Sequence, residues 1–183
     1  MLLSTPTVQT GWQARSFTLP DPDGQMHSLD ELRGEKGLLI AFICNHCPYV
    51  KAVIDRFVAD ARALQDEGVG VVAINPNDYG KYPEDSPPNM KRFAAQHAFS
   101  FPYLVDEDQS IGHAYDAVCT PDFFGFDANG KLQYRGRLDD ARMGDASSRK
   151  AELLEAMRLV ISTGEGPETQ HPSMGCSIKW RDS

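Results

Sequence analysis

An uninterrupted apolar run, Gly37 to Cys44 (GLLIAFIC), leads within a few residues into a strongly amphipathic stretch, and this junction limits the possible folds more than any other feature. A run without polar alternation suits a strand covered on both faces. Beyond it, Val50, Val53, Ile54, Phe57, Val58, Ala61 and Leu64 recur at the spacing of a single helical face. Pro48 suits the first turn of that helix, where its missing N–H is harmless, and Gly68 suits its end. A second buried strand, Val69 to Asn75 (VGVVAIN), follows.

The remaining segments read as smaller pieces of the same domain. Residues 1–16 read as a loose or extended start. Phe17 to Leu32 reads as a hairpin turning at Asp23-Gly24, and Pro76 to Pro88 as a loop. Met90–His97 and Ile111–Val118 are short helices around a strand at Phe101–Val105. Asp122–Asp127 and Lys131–Arg137 form a hairpin across Asn129-Gly130. Leu153, Leu154, Met157, Val160 and Ile161 mark the last helix. Residues 164–183 form an arm in which Cys176, Ile178 and Trp180 alternate with polar residues and should share a side. The order predicts one α/β domain over 1–183, with its core at about 17–163. It should hold a central mixed sheet flanked by helices, an N-terminal hairpin and an extended C-terminal arm.

Charge narrows the partners. Eighteen basic residues face 26 acidic ones, a net charge of −8 without a basic block, which disfavours nucleic acid and anionic membrane surfaces. The longest apolar run falls well short of the ~20 residues that span a bilayer, and the first residues lack a secretory pattern. The expected location is the cytoplasm. Four cysteines, at 44, 47, 119 and 176, are few for a disulfide-dense module, so redox chemistry, metal binding or plain burial are their expected uses.

The chemistry concentrates at Cys44-Asn45-His46-Cys47-Pro48. Zinc sites use the same C-x-x-C spacing, but here the pair lies where a buried strand meets a helix start. Free N–H groups and the positive end of the helix dipole favour a thiolate there, and an imidazolium at His46 adds to this. A stabilised thiolate makes the corresponding disulfide a better oxidant. Cys44 is expected to be the more exposed sulfur and the nucleophile, with Cys47 deeper and resolving.

The strand-CNHCP-helix unit, the Thr120-Pro121 step (TPDFFGFD) and the FTLPDPDG hairpin resemble the thioredoxin-like superfamily. The chain is most similar to its peroxiredoxin-like branch, the AhpC/TSA or redoxin proteins. Within that branch it resembles a subgroup with C-x-x-C, here together with AINPNDYGKYPEDSP, YRGRLDD and GCSIKW. The resemblance implies a thioredoxin-like fold, thiol–disulfide chemistry without a cofactor, Cys44 and Cys47 as catalytic thiols, and Pro121 as a cis-proline facing them. It also implies that the backbone at Thr120 pairs with a substrate chain, so a disulfide-containing protein or small disulfide and a thiol reductant are the implied partners.

Departures from the family order the readings. Aligning Cys47 with the peroxidatic cysteine of P-x-x-x-T-x-x-C puts Cys44 at the Thr position and Ile40 at the Pro position. Pro121 stands where the peroxide-binding arginine is expected. Leu38 holds the place of the buried acid of thioredoxin, leaving His46 or water to move protons. Thiol–disulfide exchange therefore ranks above a thiol peroxidase built on Cys47. A metal-binding module using Cys44, His46, Cys47 and a third cysteine ranks last, and no metal is expected. Cys119 reads as a buried residue or a further redox thiol, and Cys176 equally as a resolving thiol or part of a packed patch. Asn45, His46 and Pro48 support the site. The acids at 106–108 and 139–140 read as solvated turns, and Arg135 and Arg137 as partners of Asp139 or Asp140.

Overall fold

Strand β4 (Gly37–Phe42) is buried at all six positions and forms the middle of the molecule. The structure, a computed structural model, describes residues 1–182. β4 runs parallel to β5 (Val69–Asn75) and antiparallel to β8 (Asp122–Phe126). β6 (Tyr103–Val105) joins β5 in parallel, and β9 (Leu132–Gly136) joins β8 antiparallel. The resulting order, β6-β5-β4-β8-β9, is the mixed sheet that the apolar runs predict.

The two-residue period of β4 divides the core. Leu39, Ala41 and Ile43 pack with Phe57 and Leu64 of α3 (Ile54–Asp66) and with Leu153 and Met157 of α6 (Glu152–Thr163). Leu38, Ile40 and Phe42 pack on the other face with Phe17, Tyr115, Phe124 and Phe126. Each such side chain contributes about 1.5–3 kcal/mol by leaving water. A Cβ at Gly125 would lie 2.4 Å from Met157 Sδ, so a glycine lets α6 approach the sheet closely.

The helix predicted after the motif comes in two pieces, α2 (Pro48–Lys51) and α3, joined where Val53 N–H bonds Val50 O at 3.1 Å, a tighter i→i−3 turn. All seven apolar positions that predicted the helix are buried. The N-terminal hairpin is shorter than expected. β2 (Thr18–Pro20) pairs with β3 (Met26–Ser28), then Ser28 caps α1 (Leu29–Leu32) by accepting the Glu31 N–H. The loop after β5 tightens into a 3₁₀ turn at Pro83–Asp85, and α4 (Pro87–Gln96) begins within its last residues.

The largest difference lies at the chain ends. Residues 1–16 are extended at their start and irregular beyond it, and the extended part is paired. β1 (Leu2–Ser4) pairs with β10 (Met174–Ser177), which pairs with β7 (Cys119–Thr120) in a second, antiparallel sheet. Cys176 packs with the α3–α6 side of the core, whereas Ile178 and Trp180 pack with the other, so the expected shared side ends with the strand. The acids are not all solvated. Asp106 is buried and accepts the Ile111 and Gly112 N–H groups of α5 (Ser110–Ala114), while buried Asp139 binds Arg56 and Arg149. Arg135 pairs with Asp122 and Arg137 with Glu152, correcting their expected partners. Among the described residues, no helix is long and apolar enough to cross a membrane.

Candidate functional site

The end of β4 carries the chain through Ile43 into Cys44, and Cys47 takes the N-cap position of α2 with Pro48 in its first turn. The Thr120–Pro121 peptide opposite is cis, as the resemblance implies. Thr120 touches both cysteines: its Oγ1 lies 3.3 Å from Cys44 Sγ, and its carbonyl oxygen accepts from the Cys47 thiol at 3.3 Å. Strand, helix start and cis-proline thus bring Cys44, Cys47, Thr120 and Pro121 together, the arrangement anticipated from sequence. The cysteines are in the thiol state.

Exposure does not separate the two thiols. Cys44 is 1% accessible and Cys47 0%, so the expectation that Cys44 is the more exposed does not hold. The strand end and the first turn of α2 lie under neighbouring chain, β10 included.

Charge does separate them. The hydrogen bond from the Cys44 thiol lowers Cys47 to about 4 against the cost of burial, aided by the Cys176 thiol and by the backbone N–H groups of Cys176 and Val50. Cys44 moves the other way, because it shares its proton with Cys47, is buried, and faces the Asp85 carboxylate. The Thr120 contacts weigh against fixing the charge on one atom, since only a protonated Cys47 donates to the Thr120 carbonyl while the Thr120 hydroxyl can donate to a Cys44 thiolate, so the single negative charge belongs to the pair. The pair titrates as a unit.

Asp85 is the residue that sequence reasoning missed. It belongs to the proline-rich loop, yet it is 1% accessible and reaches the motif from forty residues away. Oδ1 accepts the Asn45 backbone N–H at 2.8 Å and the Asn75 amide at 3.3 Å; Oδ2 accepts from Asn77 at 3.0 Å. His46 Nδ1 lies 2.7 Å from Oδ2, a close ionic contact off the line of a good hydrogen bond. Burial pushes the Asp85 carboxyl up, but His46, Asn45 and Asn77 outweigh it and hold the group below the usual carboxylate range. In return, the Asp85 contact raises His46 against partial desolvation. The buried acid absent at Leu38 therefore has a counterpart from another element, in ionised form. The loop's clue was an acid set among prolines, which by itself predicts only a turn.

Asn45 is fixed rather than chemical. Its amide donates to Glu84 O at 3.0 Å and its side-chain oxygen accepts from Tyr103 Oη at 2.8 Å. His46 is the partly exposed member of the motif and lies parallel to the Tyr82 ring. Cys119 is fully buried, and burial pushes its thiol far up, which suits a packing residue.

Cys44, His46 and Asp85 place donor atoms within 4.8 Å of one another, a different set from the metal reading considered above. A carboxylate offers about four acceptor positions, and those of Asp85 already meet Asn45, Asn75, Asn77 and His46. A cation would have to displace one of these groups, so the donor set fits a proton better than a metal.

The five-stranded mixed sheet with a C-x-x-C at the head of a helix and a facing cis-proline defines a thioredoxin-like fold. A crystal structure of the thioredoxin domain of a thiol-disulfide oxidoreductase from Bacteroides vulgatus shares this fold, with a TM-score of 0.58, 18% identity, and coverage of 70% of this chain and 89% of that one. The AhpC/TSA family profile matches residues 10–135, and the chain belongs to that family. An uncharacterized conserved protein from Geobacillus kaustophilus is similar over 100% of this chain and 98% of its own, at 42% identity and a TM-score of 0.94. The thiol-disulfide oxidoreductase ResA of Geobacillus thermodenitrificans is 28% identical over 69% of this chain and 68% of its own. Across three ResA proteins this chain spans 57% to 68% of their length. Peroxiredoxin Bcp of Escherichia coli is 27% identical over 69% of this chain and 84% of its own.

Proposed function

We propose that the protein is a thiol–disulfide oxidoreductase in which Cys44 and Cys47 cycle between dithiol and disulfide. The observation that carries this reading is that Thr120, at the cis-proline, lies 3.3 Å from both buried sulfurs, whose titrations are driven apart in opposite directions. The Cys47 thiolate attacks one sulfur of a substrate disulfide, and the other substrate sulfur leaves and takes a proton, for which His46, with a ring nitrogen within 4.8 Å of Cys44 Sγ, is a donor. Cys44 then loses its proton and attacks Cys47 in the mixed disulfide, releasing the second substrate thiol. This order of attack, the reverse of the one expected from sequence, follows the direction of the two shifts. A separate thiol reductant returns the pair to the dithiol state. The substrate is a disulfide-containing protein or small disulfide, no cofactor takes part, and a cytoplasmic setting suits the sparse, unpaired cysteines.

A thiol peroxidase is the second reading, favoured by the Cys47 charge and the likeness to Bcp. Against it, Arg135 binds Asp122 through Nε and Nη2 and lies over the Phe124 ring. It is therefore committed away from the sulfurs.

Equilibration in graded glutathione buffers, followed by thiol trapping and peptide mass spectrometry, tests the assignment. The Cys44–Cys47 disulfide should form and reverse with the buffer ratio, while hydrogen peroxide reacts no faster than with an ordinary thiolate. Two cysteines that stay reduced across the series would refute the redox pair. Rapid sulfenic acid at Cys47 would establish the peroxidase instead.

A further inference from the structure

Cys176 lies outside the C-x-x-C motif, yet the fold brings it to the reacting sulfur. Its Cα stands opposite Thr120 in the β10–β7 pairing, and the Thr120 carbonyl lies 3.3 Å from Cys47 Sγ. Cys176 packs against the core cluster that holds Cys44 and Cys47, and its thiol and N–H lie close enough to Cys47 to draw that sulfur's titration down. The approach depends on the residue before it. A Cβ at Gly175 would fall 1.9 Å from Thr120 O and 3.1 Å from Pro121 N, so a side chain there would lift β10 off the cis-proline edge. β1 closes over the other side of β10, with Leu2 opposite Cys176. The protein's own C-terminal strand thus occupies the backbone edge beside the cysteine pair and presents a thiol there.

We propose that β10 is an internal substrate: Cys176 exchanges with the Cys44–Cys47 disulfide to give a Cys47–Cys176 disulfide that clasps the strand over the site. The proposal rests on the redox reading of Cys44 and Cys47. In the exchange, the Cys176 sulfur attacks Cys47 Sγ, the Cys47–Cys176 bond forms and the Cys44–Cys47 bond breaks. Cys44 leaves with the bonding electron pair and takes up a proton equal to the one Cys176 released. Oxidation state is conserved, so no outside oxidant or reductant enters. The Thr120 hydroxyl, 3.3 Å from Cys44 Sγ, is placed to donate to the departing thiolate. In the dithiol state burial and the Cys47 thiolate hold the Cys176 thiol up, while Lys179 draws it down. Forming the Cys44–Cys47 disulfide removes the Cys47 charge and so favours the attacking thiolate at Cys176. The clasp also excludes an incoming substrate chain from Thr120, so the oxidised protein exists in an open-edge and a closed-edge form.

The test uses the full chain, oxidised to one disulfide by a limiting amount of diamide, alkylated in acid and mapped by peptide mass spectrometry. In wild-type protein, the one-disulfide molecules should divide between Cys44–Cys47 and Cys47–Cys176, so that alkylated Cys44 appears wherever Cys176 is blocked. In Cys44→Ser, Cys47–Cys176 should become the main product, with loss of both thiols from the same molecule. Wild-type protein with Cys44–Cys47 alone and Cys176 fully alkylated would overturn the exchange while leaving the redox pair intact. Cys44→Ser that stays fully reduced or forms only intermolecular disulfides would also overturn it. Absence of any Cys44–Cys47 in wild-type protein would instead remove the parent reading.

Discussion

Asp85 and Asp122 are equally buried carboxylates near the same end of the central sheet, and they are handled in opposite ways. Asp122 meets Arg135 in a two-pronged ion pair at 2.8 and 3.2 Å, with one long contact from the Val118 N–H. Burial still wins, and its carboxyl stays above the usual range despite the guanidinium. Asp85 has no arginine. Three amide donors and an imidazole surround its two oxygens, and its carboxyl falls below the usual range. Asp85 is held by His46 together with several N–H donors, which outweigh its burial, whereas for Asp122 burial outweighs Arg135. An arginine partner is also permanently charged, so the Asp122 pair is a fixed brace between β8 and β9. A histidine partner titrates near neutrality, so the Asp85 pair can pass a change to the cysteines.

Removing the brace should have the largest effect. Arg135→Ala leaves a buried carboxylate unpaired and should cost about 3–5 kcal/mol in thermal or denaturant unfolding. The deficit should shrink as pH falls, because a raised carboxyl protonates and sheds its charge. A deficit independent of pH would mean that the arginine acts by packing on Phe124 instead.

Asp85→Asn should cost less, about 1–3 kcal/mol, because the amide keeps an acceptor but turns donors against Asn77 and His46. Its redox effect should be the clearer one. With the carboxylate gone, Cys44 should titrate lower and the His46 step should move toward its ordinary value, read as a shift in the pH profile of alkylation. An unchanged profile would break the contrast between a bracing and a signalling carboxylate.

His46→Asn should be smallest in stability, within about 0.5 kcal/mol for a partly exposed side chain. The sign of its pH dependence follows from the two shifts. Asp85, held low when folded, contributes stability above its unfolded value of about 4 and loses it as pH falls through the folded value. His46, raised when folded, contributes below its unfolded value of about 6.5 and loses that as pH rises through the folded one. The pair is therefore strongest between about pH 4 and 6.5. The wild-type advantage over His46→Asn should fade above that window, and an advantage that grew toward pH 9 would contradict the assignment.

Periodicity carried much of this fold. The apolar run at β4, the helical face from Val50 to Leu64 and the Asn-Gly turn between β8 and β9 all lie where local pattern places them. The motif at Cys44 and Cys47 was legible for the same reason, since strand end and helix start are local features. What stayed hidden depends on distant chain. Asp85 meets Asn45 across 40 positions, and Ser173 meets Thr5 across 168. No hydrophobic period marks an acid that a folded loop will bury, or a short strand whose pairing surface is its own chain terminus. The unequal titration of the two sulfurs was hidden for a related reason. It depends on Asp85 beside Cys44 and Cys176 beside Cys47, both brought in by those distant segments.

The thiolate titration of the reduced protein tests the central claim most directly. Ultraviolet thiolate absorbance, followed from acid to alkaline pH with the oxidised protein as reference, counts the charges on the pair. One thiolate should appear with a midpoint at about 4 and vanish in Cys47→Ser, and a second should not follow until well above the ordinary thiol range. Two thiols that both stay protonated to about pH 8.5, the ordinary cysteine value, would contradict the shared proton and the mechanism built on it.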